Sequence, residues 1–405
     1  MFEKFRNHSK IIVYIAAIAM VISMGIGSYF YLGKGGGGGG SGGNASSNSE
    51  DIARVNETNI SQEMFYRVLQ NQTRQMSEMS RSQMIPTRYN VLDSLIEREL
   101  IMQEAERQGI EAEVSEEEVE ESIDSYLDEL GVSREELEEN AEDQGMSMQD
   151  IREDFRRDVK SQKRLQNTID ENTRDDFEVT EEEIRSEYED QQQNESEEGE
   201  TPEFEEAKDD IEEQLQEEKQ NESIEKWLSE LKEEADIEIF DPVLSGYKSL
   251  QEEDYERAAE LFEGILEETS DASVYNYLGE AYRGQEKTDK AKSVYREAID
   301  EHEDDWELHY SLGSLYIEEE DEEQAEEMFD KASEVAGDDF MARYQLYMGY
   351  SQLEAEDKAE KEREKIEELQ SQSEGMENQP EGMENQQDQE GEQDGEVEIE
   401  PDDIE

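Results

Sequence analysis

The sequence predicts an all-α protein in three parts: an N-terminal transmembrane helix, a helical domain, and an α-solenoid of stacked helical hairpins. Three observations carry this. Apolar residues make up 33% of the 405 and charged residues 38%, so the cores must be thin, which suits helical hairpins better than a wide sheet. Helix start signals recur through the middle of the chain. A pattern of glycine, aromatic and alanine returns every 33 or 34 residues between Gly246 and Ile366.

Residues 1–10 contain Lys4, Arg6 and Lys10, and the uncharged run IIVYIAAIAMVISMGIGSYFYLG follows from Ile11 to Gly33. At about 1.5 Å per helical residue this run spans roughly 34 Å, enough to cross the hydrocarbon layer. Tyr14, Tyr29, Phe30 and Tyr31 stand near its ends, as interfacial aromatics do. No basic residue follows Lys34 until Arg54. The positive-inside bias therefore sets residues 1–10 in the cytoplasm as a stub and the bulk of the chain outside, on a single-pass signal-anchor. A cleaved signal peptide is the alternative; the run is long, and no small-x-small site follows it closely. Residues 34–50 are a Gly/Ser linker without apolar content. They form no phosphate loop, since no strand precedes them and no Gly-Lys-Ser/Thr closes them.

From residue 51 to 241 the chain reads as helices. Ser115 with Glu118, Ser133 with Glu136, and Thr180 with Glu183 have capping-box spacing, in which hydroxyl and carboxylate satisfy opposite backbone donors. Leu92, Leu95, Ile96, Leu100 and Ile101 line one helix face, and Gly109 is a natural stop after it. Val119, Ile123, Tyr126 and Leu127 make another core face, as do Ile151, Phe155 and Val159.

The order of these pieces, IARVNETNISQEMFYRVL, then YNVLDSLIERELIMQEAERQGIEA, then VSEEEVEESIDSYLDELGVSREELEENAEDQGMSMQDIREDFRRDVKSQKRLQ, resembles the N-terminal chaperone domain of SurA/PrsA-type extracytoplasmic foldases. FEEAKDDIEEQLQEEKQNESIEKWLSELKEEADIEIF resembles the helix and strand that close that domain. The resemblance implies that Ile52 to Asn56 pairs with Asp236 to Phe240, and the alternation in ADIEIF agrees. In that family a parvulin-type prolyl isomerase commonly sits between the two blocks. Here Gln191 to Glu203 is a polar loop of thirteen residues, and no His lies between His8 and His302. The resemblance thus implies the binding cradle without the isomerase.

Residues 242–369 hold the repeated pattern. One pass reads Leu278, Gly279, Tyr282, Ala291, Tyr295, Ala298, and the next Leu312, Gly313, Tyr316, Ala325, Phe329, Ala332. A weaker first pass has Gly246, Tyr255, Ala258, Phe262 and Ile265. A degenerate fourth keeps Leu346, Tyr350, Ala359 and Ile366 without the glycine. Small residues let two helices approach and aromatics fill the space beside them, so each period must stack on another. The pattern resembles the tetratricopeptide repeat. That resemblance implies a protein-binding scaffold, with Asn276, Glu280 and Arg283 in the second repeat and Tyr310, Ser314 and Ile317 in the third as peptide-binding candidates. An undifferentiated solvent-facing groove is the other reading. The set lacks the several Lys and Arg needed to clamp a carboxylate.

The net charge of -79 excludes nucleic acid and anionic lipid as targets, since both require clustered Lys and Arg. From Glu374 onward the chain has 14 Asp and Glu and no Lys or Arg, and residues 370–405 read as a disordered acidic tail. The rest of the charge is spread evenly. Such a coat reads as halophilic adaptation, which loses helicity in low salt, or as a site for a basic partner, which binds best there. There is no Cys, hence no disulfide, thiol nucleophile or lipoprotein acylation site. His302 and His309 fall at an inter-repeat turn and at a packing position, so no metal site is expected. No nucleophile elbow or triad stands out. The expected function is a non-catalytic, membrane-anchored extracytoplasmic chaperone-like or assembly protein, needing no cofactor or small-molecule substrate, that binds unfolded or partner polypeptides. A tetratricopeptide scaffold recruiting one envelope protein is the alternative, and a peptidyl-prolyl isomerase a third.

Overall fold

The computed structural model describes residues 51–74, 81–143, 145–173, 179–194 and 203–377. The expected membrane span, the Gly/Ser linker, most of the 191–203 loop and residues 378–405 lie outside them. Among the described residues no helix is long and apolar enough to cross a membrane. They contain fifteen helices and three short strands. The chain divides into two units, Met1–Glu301 and His302–Glu405.

In the first unit β1 (Asp51–Val55) and β2 (Thr58–Ser61) form a hairpin, and β3 (Ile237–Ile239) joins from far along the chain, in the order β2-β1-β3. The expected pairing of β1 with β3 is present and antiparallel, with Ala53 opposite Ile239 and Val55 opposite Ile237. A third strand was not anticipated: β2 follows a two-residue turn in which Asn56 takes φ 55°, a left-handed conformation that asparagine tolerates better than most residues. Ile52, Ala53 and Val55 are buried, while Arg54 reaches Glu238 at 2.6 Å on the outer face.

The helices of this unit are α1 (Gln62–Arg74), α2 (Arg81–Gln108), α3 (Glu116–Leu130), α4 (Arg134–Asp143), α5 (Met148–Asn172), α6 (Glu181–Asn194) and α7 (Phe204–Glu234). All three expected capping boxes form. A fourth, Ser147 with Asp150, starts α5; aspartate does the work that the glutamate template assigns to a longer side chain. Gly109 stops α2 at φ 68°. Val119, Ile123, Tyr126, Leu127, Leu137, Ile151 and Phe155 form one core across α3, α4 and α5. Ile101, Leu165, Ile169 and Leu228 tie α2 and α5 to α7. Lys232 of α7 donates to both Asp93 oxygens (2.8 and 2.9 Å) and to Glu97 (2.7 Å) of α2. Burial opposes the ammonium charge there, but Glu97 and Asp93 outweigh it and hold its pKa above the ordinary lysine value.

Four hairpins follow: α8 (Pro242–Gln251) with α9 (Tyr255–Leu266), α10 (Ala272–Gly284) with α11 (Thr288–Glu301), α12 (Trp306–Glu318) with α13 (Glu322–Val335), and α14 (Phe340–Gln352) with α15 (Glu356–Glu377). The first two belong to the first unit and the last two to the second. Asp241, Asp271, Asp305 and Asp339 cap the leading helices. At every hairpin turn a glutamate, Glu253, Glu286, Glu320 or Glu354, takes φ near 55–60°. The residue after it donates back to the helix, as Asp321 N does to the Tyr316 carbonyl at 2.9 Å. The last helix runs past Gln370 to Glu377.

Candidate protein-binding surface

In the first unit Asn276, Glu280 and Arg283 lie at i, i+4 and i+7 along α10 and share one face. Asn276 is half-buried, and Glu280 and Arg283 are exposed. The Asn276 carbonyl accepts from the Tyr295 hydroxyl at 3.3 Å. Beside them Tyr277 meets Tyr247 edge-on, with centroids 5.2 Å apart, and Tyr247 meets Tyr89 at 5.3 Å. This ladder joins α10 through α8 to α2. Glu280 touches water, yet surrounding protein displaces enough of it to raise its carboxyl pKa, Arg283 opposing. Burial, then the Glu280 charge, raises the Tyr247 hydroxyl. The face is therefore an aromatic wall with a partly dehydrated carboxylate.

The second unit holds the other three candidates on α12, and they are less available. Tyr310 is half-buried and stacks on Phe329, centroids 5.2 Å apart and planes 25° from parallel. Ile317 packs against the same core. Ser314 donates its hydroxyl to the Tyr310 carbonyl at 3.0 Å. These residues support the fold at least as much as they present a surface.

A row not anticipated from the sequence lies on α14. Phe340, Met341, Tyr344 and Met348 are 39, 36, 40 and 49% exposed, while Ala342, Leu346 and Tyr350 point into the core. Met341, Tyr344 and Met348, at i, i+3 and i+7, form one stripe. Tyr344 and Met348 stand 34 residues beyond Tyr310 and Ser314, so the repeat spacing would have found them. The helix is fixed from below: Arg343 is buried, bonded to Glu362 (3.0 Å) and to the Ser333 and Gly337 carbonyls (3.0 and 2.8 Å). From Phe340 to Gln352 there is no acidic residue, in a chain where 116 of 405 are Asp or Glu. Tyr66, Met84 and Phe240 are the large apolar side chains exposed among the described residues of the first unit.

His309 is buried, with Nε2 3.1 Å from the Glu303 carbonyl, and His302 lies at the turn before α12. Among the described residues no group of three or more His, Asp and Glu is placed to hold a metal ion.

A family model described as the SurA-like N-terminal domain matches residues 1–165, and one described as the tetratricopeptide repeat matches residues 282–347. No curated protein matches. A solved structure titled "Crystal structure of MamA" is 19% identical, with a TM-score of 0.28, over 32% of this chain and 77% of its own. Domains of these two kinds generally bind protein partners. The chain thus combines a SurA-like N-terminal domain with tetratricopeptide-repeat hairpins.

Proposed function

We propose that this protein is a membrane-anchored, extracytoplasmic polypeptide-binding protein of the chaperone or assembly class, acting without catalysis. The observation that carries the reading is the apolar row Phe340, Met341, Tyr344 and Met348 on a helix free of carboxylates. Methionine and aromatic side chains adapt to varied apolar partners with little specificity. Covering the remaining exposed part of each contributes about 1 kcal/mol, so the row supplies roughly 4 kcal/mol before the cost of association, and binding by the row alone is weaker than millimolar. Such contacts release readily. A second contact on the first unit, at the Glu280 face or at Tyr66, would convert weak binding into useful retention through effective concentration. The acidic surface repels other acidic chains and favours segments with basic flanks. The 23-residue apolar run and the basic residues before it support the anchor and its orientation.

The test is light scattering from a chemically unfolded client, with and without stoichiometric full-length protein in detergent micelles, at salt where the protein is folded. Suppression is expected, and the triple variant M341S/Y344S/M348S is expected to lose most of it. No suppression by the unaltered protein contradicts the reading.

A further inference from the structure

Seven of the fifteen asparagines begin an Asn-x-Ser/Thr triplet. Serine and threonine are about a tenth of the residues, so chance would supply roughly one or two such N-glycosylation acceptors. One begins at Asn7, ahead of the apolar run, and the other six fall between Asn44 and Ser223, beyond it. The excess therefore lies on the side that the anchor reading sets outside the cell.

The fold separates these candidates. Asn221 is half-buried within α7. Asn71 is half-buried in α1, and its partner Thr73 donates its hydroxyl to the Leu69 carbonyl at 2.9 Å. Asn56 is exposed but held at both side-chain atoms: its Nδ2 donates to Gln103 Oε1 at 2.7 Å and its Oδ1 accepts from Asp236 N at 3.0 Å, joining the hairpin turn to α2 and to the approach to β3. Asn59 differs. It is exposed, in β2 at the edge of the sheet, opposite Arg54 on the outer face. Strand residues two apart share a face, so Asn59 and Ser61 stand side by side, with Ile60 turned into the core. Asn59 Nδ2 gives one hydrogen to Asp51 Oδ2 at 2.6 Å, and its second remains. Ser61 Oγ accepts from Met64 N at 3.3 Å, leaving its own hydrogen to donate.

We infer that Asn59 is an N-glycosylation site, modified by a transferase that uses an oligosaccharide carried on a lipid phosphate. The step joins Nδ2 to the anomeric carbon. The carbon–oxygen bond to the phosphate breaks, the phosphate leaves with the electron pair, and one Nδ2 proton passes to a base of the transferase. The Asp51 bond survives on the remaining hydrogen. A glycan there also shields the outer strand from pairing with another chain, the usual hazard of a sheet edge.

This inference rests on the extracytoplasmic reading, so the two are tested separately. The full-length protein is recovered from membranes of the cells that encode it, and its peptides are mapped by mass spectrometry; intact cells are shaved with protease in parallel. The Asn59 peptide is expected to gain the mass of a whole number of sugar residues, and the Asn7 peptide to gain none. N59Q and S61A are each expected to lose one glycan, and S61T, which retains both the hydroxyl and the helix cap, to keep it. An unmodified Asn59 on a protein that protease removes from intact cells overturns the inference while leaving the localisation standing. A protein that resists shaving, with Asn59 unmodified, overturns both.

Discussion

Gly313→Ala and Gly264→Ala exchange the same two residues within helices, and the structure assigns them opposite signs. A Cβ at Gly313 would lie 2.7 Å from Cε1 and 2.8 Å from Cδ1 of Phe329, and 3.3 Å from the Ala325 carbonyl. The Phe329 ring is fully buried. It cannot retreat, because a Cβ at Gly349 would meet its opposite edge at 2.8 Å; the ring is gripped between α12 and α14. Relieving the clash requires a shift of roughly 0.7 Å in a packed core, which costs about 1–3 kcal/mol. Replacing glycine by alanine in a helix returns about 1 kcal/mol, leaving a net loss of up to about 2 kcal/mol. At Gly264, on the exposed side of α9, nothing lies within 4 Å of the added carbon, so only the gain of about 0.5–1 kcal/mol operates. Urea unfolding of the full-length protein, followed by circular dichroism, measures both. A Gly313→Ala protein stabilised as much as Gly264→Ala would refute the idea that this glycine sets the helix spacing.

Three other outcomes follow from particular contacts. Burial, then the neighbouring Asp154 charge, raises the Asp158 pKa from 3.8 to about 6. The folded chain holds that proton more tightly than the unfolded chain, so the penalty is absent below pH 3.8 and grows as pH rises through about 6. The shift corresponds to about 3 kcal/mol, reduced to about 1 kcal/mol by screening at this half-buried site. Asp158→Asn is expected to gain that at pH 7 and nothing at pH 3.5 in parallel urea titrations. Arg343→Met removes the buried partner of Glu362, which keeps Ser333 (2.5 Å) and Lys365 (3.2 Å), and is expected to cost about 2–3 kcal/mol, whereas R343M/E362L costs less; calorimetry of both distinguishes a needed pair from a needed charge. Glu286→Gly relieves a left-handed glutamate and is expected to raise stability by about 0.5 kcal/mol, read as a higher denaturation midpoint.

Local chemistry was legible in the sequence wherever the signal lies within a few residues. The three serine and threonine capping boxes, the stop at Gly109 and the core faces of α2, α3 and α5 are all of this kind. Ser147 with Asp150 escaped only because the template asks for Glu or Gln. The β1–β3 pairing, between residues as far apart as Ala53 and Ile239, came from the family resemblance rather than from any local pattern. The left-handed glutamates at the hairpin turns carry no marker, since glycine normally signals that conformation and the Schellman-type bonding holds glutamate there instead. The α14 row was missed for a related reason. Its repeat has Tyr347 at the glycine's register, and Gly349 takes over the close approach to Phe329, so the pattern reads as degenerate where the surface is most apolar. The Arg343–Glu362 pair joins separate helices and is visible only once they are folded.

The central claim is that the apolar row on α14 contacts non-native polypeptide. The most direct measurement places a photoreactive amino acid at position 348 of the full-length protein, and at the exposed position 361 of α15 as a control, and irradiates each with a purified client in native or unfolded form. Adducts at 348 with the unfolded client alone, and none at 361, are the predicted result. No adduct at 348, or equal labelling at both positions or with both forms of the client, would contradict the claim.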